Sequence, residues 1–106
     1  MKNLNKLLVD LNDKKIYGDE NIFVNGVKDD SRSVKKGDVF VAIKGLTVDA
    51  HEFIPNVIEK GVRVVVGEVE PEKTWLKKVT YIKVPNSRRA LGLLASSWYG
   101  NPSKKS

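Results

Sequence analysis

The chain has 106 residues, no cysteine and a formal net charge of +6, from 19 Lys and Arg against 13 Asp and Glu. That length fits one domain and leaves no room for two independent cores; disulfides, Cys-ligated zinc and thiol catalysis are excluded together. The positive surplus is either a field for anionic partners or a solvated surface, because the doublets Lys35-Lys36, Lys77-Lys78 and Lys104-Lys105 form no single stripe.

In chain order, "NLNKLLVDL" places Leu4, Leu7, Leu8 and Leu11 at helical spacing and predicts an N-terminal helix. The apolar run Leu7 to Val9 is far shorter than a signal peptide's core, and no stretch approaches a transmembrane span. "NIFVNGVKD" reads as extended chain interrupted by a turn or bulge at Asn25-Gly26. "DVFVAIKG" predicts a central strand, with Val39, Val41 and Ile43 on one face and Phe40 and Ala42 on the other. In "DAHEFIPNVIEKG", Asp49 and Glu52 stand in the relation of a capping box. A loose turn should come first, then a helix from Ile54 or Pro55 that ends at Gly61. "VRVVVGEV" and "VTYIKVP" predict two further strands. "NSRRALGLLASSWYGNP" predicts a last helix, capped by Asn86 or Ser87 and stopped by Gly100 and Pro102. Its core face carries Ala90, Leu91, Leu94, Ala95 and Trp98. The expected class is α/β, a small mixed β-sheet flanked by helices. One domain over residues 1–100 and the start of a linker over 101–106 are expected.

Familiar catalytic signatures are missing from the sequence. It holds no G-x-x-x-x-G-K-[ST] phosphate loop, no G-x-G-x-x-G fingerprint and one histidine. His51 either meets a phosphate or orders a loop beside Asp49, or else is a structural, partly exposed residue in the first turn after a cap. Ser31, Ser33, Ser87, Ser96 and Ser97 lack a nucleophile elbow or triad partner. Trp98 falls on the core face of the last helix, and Trp75 covers a hydrophobic edge; neither belongs to an interleaved basic–aromatic signature. No catalytic residue and no metal site are therefore expected. What stands out is "DDSRSVKKGDVFVAIKG", residues 29–45, which carries more donors and acceptors than a turn needs.

"DDSRSVKKGDVFVAIKGLTVDAHEFI" resembles the N-terminal domain of the Mur ligases, which build the peptidoglycan stem peptide. The shared pattern is an acid-Ser-Arg triplet, a Lys-Gly-Asp turn, an F-V-A strand, a glycine and an Asp-Ala-His segment. "EKGVRVVVGE" and "VPNSRRALGLLASSWYGNPSKK" extend the resemblance from about Val27 to the end. "GLTVDAHEF" and the last element point to the ligase adding the third stem-peptide residue rather than the one acting at the fourth step. The resemblance implies that this domain grips the UDP part of UDP-N-acetylmuramoyl-L-Ala-D-Glu. It implies substrate contacts at Ser31 and at Leu46, Thr47 and Val48. Asp29 falls on a position whose backbone faces the nucleotide and which is often apolar in the family. Asp30 and Arg32 complete the candidate set; Arg32 either pairs with Asp30 or Asp38 to hold the loop or meets a phosphate.

The resemblance also implies that ATP and Mg belong to a domain following this chain, with no cofactor in the chain itself. The expected partners are the nucleotide substrate and the covalently following ATPase and C-terminal domains, with no nucleic acid and no membrane insertion. The chain alone should be inactive. In the complete ligase, diaminopimelate or lysine would attack an acyl phosphate of the D-glutamate. The expected location is cytoplasmic, which the lack of cysteine fits. A small basic nucleic-acid-binding module and a docking domain are the competing classes, and a steep salt dependence of binding would mark the former.

Overall fold

The computed structural model describes residues 1–99. Its principal element is a five-stranded mixed sheet in the order β2 (Lys15–Tyr17), β7 (Thr80–Lys83), β6 (Val64–Gly67), β5 (Val39–Val41), β4 (Val27–Lys28). β4, β5, β6 and β7 run parallel, and β2 pairs antiparallel with β7 at the edge. A two-stranded sheet joins β1 (Lys2–Asn3) to β3 (Phe23–Val24). The expected α/β class is observed.

Strand β5 explains the two-layered core. Its three residues are all fully buried, with hydrophobic side chains alternating between faces. Val39 and Val41 join Val64, Val66, Ile82 and Val84 under α1 (Leu4–Leu7) and α4 (Ser87–Trp98). Phe40 and Ala42 join Val65, Tyr81 and Trp75 under α2 (Ile54–Glu59) and α3 (Lys73–Leu76). Burial on both faces is what a central parallel strand requires.

The N-terminal helix is shorter than its leucine spacing predicts. Asn3 caps it through Asn5 N–H, and it ends at Leu7; Leu8 and Leu11 follow in bonded turns. Asn5, Asp10, Asn12 and Asp13 are poor helix formers, and Leu4 N–H is already tied to Ile22 O. All four leucines are nevertheless buried. Asn25-Gly26 marks the place where the chain leaves the small sheet at β3 and enters the large one at β4. Asp49 caps a 3-10 turn, Ala50–Phe53, by accepting from His51 N–H, and α2 follows from Ile54 with Pro55 in its first turn. Gly61, at φ +99°, follows its C-cap as expected.

Helix α4 is capped by Asn86, whose side chain accepts from Arg89 N–H. Ala90 and Leu94 are fully buried, and Leu91, Leu93 and Trp98 pack beside them. Lys2 donates to Trp98 O and lies over its ring. The expected stops at Gly100 and Pro102, and the linker over 101–106, lie outside the described residues. Among the described residues no helix is long and apolar enough to cross a membrane.

Candidate functional site

Parallel neighbours cannot be joined by a two-residue hairpin, so the chain must return from the end of β4 to the start of β5. Residues 29–38 make that return. The half that follows β4, Asp29 to Ser33, therefore lies at the C-terminal edge of the sheet. The half that precedes β5 lies at the opposite edge, where buried Asp38 accepts from Lys28 Nζ at 2.9 Å and from Lys35 N–H at 2.8 Å. The dense polar stretch thus serves two ends of the sheet.

At the upper edge Asp30 organises the turn. Its Oδ1 accepts from Arg32 N–H at 2.8 Å and from Arg32 Nε at 3.1 Å, and its Oδ2 accepts from Arg32 Nη2 at 3.0 Å. Its carbonyl accepts from Ser33 N–H and Ser33 Oγ. The open alternative for Arg32 is thereby decided for Asp30 over Asp38. Hydrogen bonds from the Arg32 side chain and backbone hold the Asp30 carboxyl below its ordinary range, and the same pairing raises Arg32. Lys60, capping α2, donates Nζ to Ser31 O at 2.8 Å. The Ser31 hydroxyl makes no hydrogen bond among the described residues.

A second loop leaves the C-terminal end of β5 beside the first. Gly45 N–H donates to Val48 O at 2.8 Å and Ala50 N–H to Ile43 O at 3.1 Å, closing a tight excursion over Leu46, Thr47 and Val48. Gly45 is needed for the closure, since a Cβ there would stand 2.9 Å from Val48 O. Leu46 is fully exposed and Val48 half exposed. The loop's base is tied by His51, whose side chain is only 8% exposed. Its Nδ1 lies 2.6 Å from Asp49 Oδ1, and its Nε2 accepts from Glu68 N–H at 2.9 Å. As expected, His51 is a partly exposed residue just after the cap, while its ring is nearly buried and has a partner on each nitrogen. Those bonds, from the His51 backbone first and its ring second, lower the Asp49 carboxyl.

Asp29, Asp30, Ser31, Arg32, Val48, Ala50 and Phe53 line an open concavity of about 620 Å3 between these loops. Four of the residues singled out in the first loop and Val48 of the second are thus brought together; Leu46 and Thr47 stand outside the lining. Ala50, Phe53 and Lys60 were not anticipated. Phe53 carried no signal in the sequence, because its 39% exposure follows from the fold. Lys60 had none either, because its approach to Ser31 is set by the packing of α2 across the sheet. A more enclosed cavity, between residues 10–13 and the start of α4, measures about 80 Å3 and is too small for a nucleotide. The sequence has no phosphate loop, and among the described residues no cluster of three His, Asp or Glu could hold a metal.

Comparison with known proteins agrees with the geometry of the fold. A family model described as "Mur ligase family, catalytic domain" matches residues 23–99. A UDP-N-acetylmuramoyl-L-alanyl-D-glutamate--2,6-diaminopimelate ligase of Clostridium tetani is 44% identical over 91 residues, covering 85% of this chain and 19% of that protein. The ligase of the same name from Phocaeicola vulgatus is 41% identical over 102 residues, covering 96% and 21%. Among solved structures, MurF from Acinetobacter baumannii superposes with a TM-score of 0.60 at 31% identity, covering 70% of this chain and 16% of that one. MurF ligase from Thermotoga maritima, solved with ADP, gives a TM-score of 0.60 at 29% identity, covering 74% and 18%. The chain spans about a fifth of the length of the curated relatives it matches. With a family model over most of its length and relatives of this similarity along nearly all of it, the chain belongs to the Mur ligase family.

Proposed function

We propose that the chain binds the UDP part of UDP-N-acetylmuramoyl-L-Ala-D-Glu, as one domain of a cytoplasmic, ATP-dependent amide ligase adding the third stem-peptide residue. The observation that carries this reading is the meeting of Ser31 and Val48 in one concavity at the C-terminal ends of adjacent parallel strands. Ligands of open α/β sheets favour that edge. The volume suits a nucleoside rather than a metal or a water cluster. Phe53 and Val48 offer an apolar wall for a uracil ring. The unengaged Ser31 hydroxyl and the carboxylates of Asp29 and Asp30 suit ribose and base donors.

Arg32 holds Asp30 with Nε and Nη2, and its remaining guanidinium N–H groups stay open to a phosphate. Leu46 and Thr47, at the exposed tip, reach the ligand only if the loop folds over it. ATP, magnesium and the incoming amino acid belong to the domains that complete the ligase, and this chain alone is inactive in that scheme.

The test is a titration of the chain with UDP, followed by backbone NMR. Signals of residues 29–33 and 45–48 should move together, with weak affinity and little dependence on salt. Movement confined to other residues at saturating UDP removes the site. A dissociation constant that rises steeply with salt marks a phosphate-backbone binder instead.

A further inference from the structure

We infer that His51 is a positioning residue, the strut that holds the segment 46–48 in register for the nucleotide, and this rests on the binding reading above. The loop tip has little packing of its own: Leu46 is 104% and Val48 51% exposed. Its order must come from its base, and the base is polar. Asp49, which closes the loop, accepts from both the backbone and the ring of His51. The same ring accepts from Glu68 N–H, the first residue beyond β6. One side chain therefore joins the loop after β5 to the end of the adjacent strand.

The bonding defines the state of the ring. Nε2 faces an N–H donor and so presents its lone pair; the proton sits on Nδ1 and points to Asp49. Each ring nitrogen thus has one use. It also lies against Gly67, where a Cβ would come 3.1 Å from its Cδ2 and Nε2 and 2.5 Å from the Tyr81 hydroxyl. Any buried ring needs its nitrogens paired; what goes beyond packing here is where the partners lie, Asp49 at the base of the loop after β5 and Glu68 just past the end of β6. Here the bonds run from the ligand loop to the end of β6, an arrangement that preorganises a binding loop.

Three variants separate the two arms. His51→Asn retains a donor near the Nδ1 position, toward Asp49, and His51→Gln retains an acceptor near the Nε2 position, toward Glu68. His51→Ala removes both. In the full chain, well below its melting temperature, His51→Ala should raise the UDP dissociation constant about three- to tenfold, the scale of ordering one or two side chains on binding. Asn and Gln should each fall between Ala and wild type. Without ligand, NMR signals of residues 46–48 should shift in His51→Ala and move back toward wild type in Asn or Gln. Wild-type affinity in all folded variants, or unmoved signals at 46–48, overturns the strut even if melting temperatures fall. If His51→Ala does not fold, the Asn and Gln proteins give the same decision. Failure of the wild-type chain to bind UDP is a separate result, which overturns the nucleotide reading and this inference with it.

Discussion

Ser31 carries its hydroxyl on a turn that other groups already hold. Asp30 caps Arg32 and Ser33 closes back on Asp30 O, while Ser31 contributes only its carbonyl, to Lys60. A serine that made the turn by bonding its own backbone would be a structural residue, and that role is filled by its neighbours. Ser31→Ala should therefore leave stability within about 0.5 kcal/mol, as surface changes usually do. If the hydroxyl bonds the nucleotide, the same change should weaken UDP binding by about 0.5–1.5 kcal/mol, roughly a two- to twelvefold rise in dissociation constant. Calorimetric titration and thermal melts of the two proteins check both halves. A lowered melting point with unchanged affinity would take Ser31 out of the site.

Helix α4 is the element whose attachment to the sheet is most easily tested. Leu94 is fully inaccessible and lies among Val39, Val41, Val64, Val66 and Ile82. Leu94→Ala removes that packing and should cost about 2–5 kcal/mol, depending on how far the neighbours close in. A loss under about 0.5 kcal/mol, measured by denaturant unfolding, would mean that the helix does not pack on the sheet in solution. The elements legible beforehand are those with a strong apolar pattern: β5, β6, β7 and the core face of α4. β2 and β1 were not, because Lys15–Tyr17 and Lys2–Asn3 carry too few apolar residues to show a period and owe their conformation to strand partners. α3 was hidden in a lysine-rich stretch, with buried Trp75 its one anchor. The site divides the same way. Residues 29–32 stood out by their density of functional groups, and Val48 only through the family resemblance. Phe53, Lys60 and the link from His51 to Glu68 depend on which strands are neighbours, and no local pattern encodes that.

The whole molecule's response to pH follows from which groups the fold shifts, and in which direction. Asp30, Asp49 and Glu70 are lowered, chiefly by hydrogen bonds from Arg32, His51 and Lys83 respectively. Their stabilisation is present above the ordinary values of 3.8 and 4.5 and fades as pH falls through the folded-state values. These groups are solvent-exposed, so the acid limb should be shallow. The alkaline limb has a buried origin. Tyr81 is fully buried, edge-on to Tyr17 and against Trp75, and its hydroxyl donates to Val69 O at 2.7 Å. Burial disfavours the phenolate, so the folded chain keeps this proton well above 10.0, where an ordinary tyrosine ionises. Above that pH the unfolded chain binds fewer protons than the folded one, and stability falls until the folded hydroxyl itself ionises. Lys83, raised by its bond to Glu70, adds to the same limb. Tyr81→Phe isolates the phenol. It keeps the ring packing, leaves Lys83 in place and costs about 0.5–1.5 kcal/mol near neutrality for the lost hydrogen bond. The melting temperature of the wild type should then fall faster than that of the variant between about pH 9 and 11, the gap narrowing as the phenol's contribution disappears. Parallel curves for the two proteins across that range would show that the tyrosine proton does not govern alkaline unfolding.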